Sequence, residues 1–149
     1  MSSTLIITTF ACAFPAPEPS EVQKDQANLA GDWQIVRVDG QRKAQWPKEW
    51  PLPKVLIIRD IRMTPFFQTN NQAVFVLDPA QTPRQMDVII DQNLPYMKWI
   101  YGFDGDQLKL GMTFDLTLPG GEAGQTRPKS FLVDADPSVI VFVYQRVKK

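Results

Sequence analysis

The sequence predicts an all-β fold, an eight- to nine-stranded antiparallel up-and-down barrel with little helix. Three observations carry that prediction. From Leu29 onward apolar residues recur with period two, in short runs rich in β-branched and aromatic side chains. Gly, Pro, Asn and Asp separate those runs at hairpin spacing. The run VIVFVYQRV at 139–147 is apolar on both faces, which suits a strand covered on two sides or one that closes a barrel. An open sheet of this size leaves edges to protect, and closure removes them. The 149 residues fit one domain, assigned to 29–149.

Ahead of that domain, residues 5–14 form an apolar run shorter than the roughly 20 residues of a membrane-spanning helix, so no transmembrane helix is expected. Its length fits a signal-peptide core, and Ala11-Cys12-Ala13 offers a small-residue cleavage site. Segment 1–14 is therefore read as signal-like, and the protein as extracytoplasmic or secreted. The run departs from a signal peptide in having no Lys or Arg before it; Thr9-Phe10-Ala11 is a poor lipid-attachment context, so acylation of Cys12 is the lesser expectation. Residues 15–28, with Pro15, Pro17 and Pro19 among polar residues, read as a disordered tether.

Strands are expected near 32–38, 54–59, 61–67, 72–77, 85–90, 96–103, 107–114, 129–133 and 139–147. Asn70-Asn71, the polar break at 78–83, Asp104-Gly105 and Asp136-Pro137-Ser138 supply turns between them, with Asp104-Gly105 expected to form a type I′ hairpin. Successive hairpins make a meander in which sequence neighbours are sheet neighbours. Charges mark the outer faces. Lys98 outside sends Met97, Trp99, Tyr101 and Phe103 inward; Asp87 outside sends Met86, Val88 and Ile90 inward; Leu108, Leu110 and Met112 form the matching row.

Composition removes several kinds of chemistry. Sixteen basic residues balance sixteen acidic ones, and no excess of positive charge calls for nucleic acid or an anionic membrane as partner. The chain has no histidine, which excludes Ser-His-Asp and Cys-His catalysis and histidine-type zinc sites. Its one cysteine, Cys12, lies outside the domain, so no internal disulfide forms. Asp104 and Asp106 are a turn pair rather than carboxylates flanking a cleft, and their surroundings lack the spacing of a calcium loop. The glycine-rich stretch 120–124 lacks the Lys-Ser/Thr of a phosphate loop. No catalytic residue, metal site or cofactor is assigned, and the chain is read as a non-enzyme.

Gly31-Asp32-Trp33 at the mouth of the first strand, answered by Arg146 on the last, resembles the lipocalin signature. With LAGDWQIVRVDGQ, VFVLDPAQTPRQMDVII, IYGFDGDQLKLGM, RPKSF and the terminal QRVKK in order, nearly all of 29–149 is similar to a family of uncharacterised bacterial lipocalin-like domains. Departures fall at Gly111, where members often carry Cys, at Phe103, where they often carry Leu, and in the extended segment KAQWPKEWPLP. The resemblance implies that Trp33 plugs the closed end of the barrel while Arg146 packs over its indole, with Gly31 beside them. Members commonly carry export signals, and the family lends no established activity.

Three function classes stay open, with the carrier the leading one; the third, an enzyme, would need a carboxylate or Tyr buried in a pocket with a shifted pKa. A carrier would hold a small apolar ligand inside a hollow barrel, lined by Phe75, Met86, Met97, Trp99, Tyr101 and Phe114. An interaction or inhibitor module would have a filled barrel and bind a protein partner through the 41–53 loop, with Trp46 and Trp50 at the rim or interface. A monomer is expected in each case.

Overall fold

The computed structural model describes residues 18–41, 54–64, 72–89, 97–115 and 122–148. They form one helix and nine strands: α1 (Glu21–Leu29), β1 (Gly31–Asp39), β2 (Val55–Arg59), β3 (Arg62–Met63), β4 (Ala73–Asp78), β5 (Arg84–Ile89), β6 (Met97–Asp104), β7 (Gln107–Asp115), β8 (Glu122–Ala123) and β9 (Val139–Arg146). Every pairing is antiparallel. The order β6-β5-β4-β3-β2-β1-β9-β7 returns to its start through a β6–β7 pairing, so eight strands close a barrel and β8 pairs on β7 alone. Among the described residues no helix is long and apolar enough to cross a membrane.

The side-chain alternation read from the charges is the one that packs. Met97, Trp99, Tyr101, Met86, Val88, Leu108, Leu110 and Met112 are buried in one core cluster and Phe103 is partly buried against it, while Ile90 lies outside the described residues. β9 is buried on both faces for separate reasons. Ile140, Phe142 and Tyr144 enter the barrel, whereas Val139, Val141 and Val143 sit outside under Phe131 and Val133.

That outer cover corrects the strand expected at 129–133. A closed barrel offers no free edge, because β7 and β9 already pair along their length. The segment instead runs through bends and turns and packs Phe131 and Val133 against the outer surface, while Leu132 stays exposed. The bare backbones of Gly102 and Gly111 receive it: Phe131 ring carbons lie 3.4 Å from where either glycine would carry a Cβ. Arg127 anchors its start, donating from Nη1 to the carbonyl of Trp99 at 2.6 Å and pairing through Nη2 with Asp87.

The tether expected over 15–28 is also corrected, since Glu21–Leu29 is helical. Ser20 and Gln23 form a capping box: the Ser20 hydroxyl accepts from the Gln23 amide at 3.2 Å, and the Gln23 side chain accepts from the Ser20 amide at 2.8 Å. Val22, Asp25 and Leu29 fall on one face, and that face docks on the barrel. Nine residues are too few to hold a helix alone in water. Docking holds it, with Leu29 fully buried and contributing about 2 kcal/mol.

The β6–β7 hairpin turns where Asp104-Gly105 indicates, but only Gly105 has positive φ, at 60°. One left-handed residue at the first central position is the pattern of a type II′ turn rather than the expected type I′.

Candidate functional site

The six residues read as a ligand lining all point into the barrel and belong to its core cluster. Phe75, Met86, Tyr101 and Phe114 are at most 1 % exposed, Trp99 is 2 % and Met97 is 6 % exposed. Their side chains pack against one another inside the barrel. Trp46 and Trp50 fall in 42–53, outside the described residues. Asp104 lies exposed on its turn with Lys109 at 3.0 Å, and the side chain of Gln145, by hydrogen bonding, holds the Asp106 carboxyl below its ordinary range.

Gly31, Trp33 and Arg146 meet at the end of the barrel under α1. Trp33 and Arg146 are cross-strand partners of β1 and β9, so their side chains share a face. The guanidinium carbon of Arg146 lies 4.2 Å from the indole centroid. Its Nη1 donates to the carbonyl of Ala30 at 2.7 Å and its Nη2 to that of Asn28 at 2.5 Å, while Trp33 Nε1 donates to the carbonyl of Leu29 at 2.8 Å. Helices end with carbonyls that lack intrahelical partners. Here three consecutive ones, from Asn28 to Ala30, are satisfied by the tryptophan and arginine of the signature. α1 has no basic residue in its last turn, and Arg146 brings the cation its dipole favours. Gly31 makes the approach possible: at φ 144° a Cβ there would stand 2.6 Å from Arg146 Nη1.

A second cluster, which sequence reasoning missed, fixes the middle of the helix. Asp25 is 2 % exposed and accepts from two sides, from Arg84 Nη1 at 2.5 Å and from the Tyr101 hydroxyl at 2.6 Å. Arg84 and Tyr101 are themselves register partners across β5 and β6. Burial, reinforced by the hydrogen bond to Asp25, raises the Tyr101 phenol far above its ordinary value, so it stays a donor. The signal for this cluster was present in two places. Arg84 has the same parity as the inward-facing Met86 and Val88, and a charge on the inner face of a strand demands a partner. Asp25 stands at helical spacing between Val22 and Leu29.

Among the described residues, two grooves open at this end. One, of about 750 Å³, runs beside the closure between Asp32, Arg59, Arg146 and Lys148, with Arg59 paired to Asp32 at 2.5 Å. The other, of about 470 Å³, lies over Arg84 between Pro79, Pro83, Phe103 and Phe131. Residues 42–53, 65–71, 90–96 and 116–121 lie outside the described residues. No family model, no curated protein and no solved structure matches the chain.

Proposed function

We propose that this protein is an exported, non-enzymatic binding module of lipocalin-like type whose barrel is filled by its own side chains and which works through its surface. The near-complete burial of the inward-facing side chains supports this reading over a hollow carrier. An eight-stranded barrel has an interior that side chains can just fill, and here Trp33, Trp99, Tyr101, Tyr144, Phe75, Phe114 and Phe142 supply large volumes. Filling makes the barrel a rigid frame, and loops on rigid frames are where binding residues concentrate. The 41–53 loop, with Trp46, Trp50 and three prolines, is the surface we assign to a protein partner. Export rests on the apolar run at 5–14 and the Ala11-Cys12-Ala13 site.

Native mass spectrometry of the gently purified protein tests the reading, together with titration of an apolar fluorescent dye. A bare protein mass and no saturable dye binding are expected. A stoichiometric lipid-like adduct would overturn the filled barrel and restore the carrier. For the loop, W46A/W50A is expected to leave the melting temperature within about 2 °C of wild type, as for surface positions. A large loss of stability would mean that the tryptophans are packed onto the barrel rather than offered to a partner.

A further inference from the structure

We infer that the groove over Arg84 binds a small amphipathic carboxylate, its carboxyl group on the Arg84 guanidinium and its apolar body between Phe103 and Phe131. The groove lies outside the packed interior, so this assignment does not rest on the partner-binding loop or on the barrel being filled. Four observations meet in it.

The cation is fixed in advance. Asp25, 98 % buried by its 2 % exposure, holds Arg84 by Nη1 and is itself held by the Tyr101 hydroxyl. A guanidinium already immobilised loses little rotamer freedom when a ligand arrives. The cation is also accessible, because the Arg84 side chain is 40 % exposed while its carboxylate partner is not. A guanidinium has five N–H donors in a planar fork, more than the contact with Asp25 engages.

Aromatic and proline rings form part of the lining, beside the polar Gln81 and Thr82. Phe103 stands edge-on to Tyr101, with centroids 6.1 Å apart at 80°, and is only partly buried; Phe131 is likewise half-buried where it crosses Gly102. Pro79 and Pro83 also line the groove. The volume of about 470 Å³ falls within the roughly 300–1,000 Å³ of small-molecule sites.

The charge balance selects the ligand. Asp25 already neutralises much of Arg84, and Asp78 lies on the strand below, its carboxylate engaged by the Ala80 amide at 3.3 Å and Gln81 Nε2 at 3.1 Å. A phosphate dianion would bring two charges to a guanidinium that Asp25 already largely neutralises. A planar monoanion matches the fork and adds a single charge.

The test uses the full chain labelled with ¹⁵N, titrated with phenylacetate and with its uncharged counterpart phenylacetamide, and followed by amide chemical shifts. Saturable shifts at Arg84, Gly102, Phe103 and Phe131 are expected, with the acid binding at least about tenfold tighter than the amide, as for a hydrogen bond to a charged group. R84Q is expected to bring the two ligands to similar affinity. Equal binding of acid and amide to the wild type, shifts that do not saturate, or shifts centred on Arg59 and Lys148 would each overturn the assignment. The acid-to-amide comparison in the wild type decides the matter even if R84Q fails to fold. Inorganic phosphate competing as strongly as phenylacetate would overturn the monoanion selection and with it the assignment.

Discussion

Replacing Arg146 by Met separates the chemistry of the closure from its bulk. Methionine keeps an apolar stem over the Trp33 indole but removes the cation and both donors. The stacking of a partly buried guanidinium on tryptophan is worth about 1 kcal/mol. The hydrogen bond to the half-buried carbonyl of Ala30 adds about 1 kcal/mol, and that to the exposed Asn28, which water can replace, about 0.5 kcal/mol. The total of about 2.5 kcal/mol corresponds to a fall in melting temperature of about 10 °C, at roughly 4 °C per kcal/mol for a domain of this size. Thermal and urea unfolding followed by circular dichroism measure it. Hydrogen exchange should show the loss concentrated in Glu21–Leu29, whose C-terminal carbonyls lose their donors. Gly31 provides the internal control. In the wild type, G31A meets both the strained φ of 144° and the approach of Nη1 to 2.6 Å, and should cost about 3 kcal/mol. In the R146M background the collision is gone and only the backbone strain of about 1–2 kcal/mol remains. The double-mutant cycle should therefore show coupling of about 1 kcal/mol or more. Additive effects, or an R146M protein within about 0.5 kcal/mol of wild type, would refute the reasoning.

Other consequences are open to direct measurement. D25N removes the charge that holds Arg84 and weakens the acceptor for Tyr101, and unfolding titrations should report a loss of about 2–3 kcal/mol. Tyr101 and Tyr144 are both raised above the ordinary phenol value of 10.0, each chiefly by burial. A raised folded value leaves stability intact below pH 10 and removes it as pH climbs beyond, because the unfolded chain releases those protons first. Absorbance at 295 nm should accordingly show both phenols ionising only together with unfolding; ionisation within the folded state would contradict their burial, and Y101F should reduce the alkaline slope by one proton. F131A uncovers Gly102 and Gly111 and should cost about 2 kcal/mol while leaving the sheet signal in circular dichroism unchanged. R127A releases the start of the same segment, and limited proteolysis should cut within 124–133 faster than in the wild type.

Local rules carried the barrel a long way. A side chain's face on a strand depends only on its parity, so one outward charge such as Lys98 or Asp87 orients a whole strand without any knowledge of its neighbours. The hairpins were equally visible, because Gly and Asp at a turn act through their own φ. The segment at 129–133 was misread for the same reason: its composition favours a strand, but pairing requires a free edge, and edges are a property of the whole sheet. α1 carried its signal in Ser20 and Gln23, yet the prolines and charges around it hid the single face formed by Val22, Asp25 and Leu29.

The sequence by itself determined the all-β class and the inward rows of the strands, since each follows from periodicity, whereas the pairing of Trp33 with Arg146 was expected only through the resemblance of a short motif. Tertiary structure alone decided that Arg146 and Trp33 cap a helix, that Asp25 joins Arg84 and Tyr101, and that Phe131 lies on two glycines. Those contacts span tens of residues, 59 between Asp25 and Arg84 and 116 between Ala30 and Arg146. Their energies come from desolvation and from the satisfaction of buried polar groups, which exist only once the chain has closed around them.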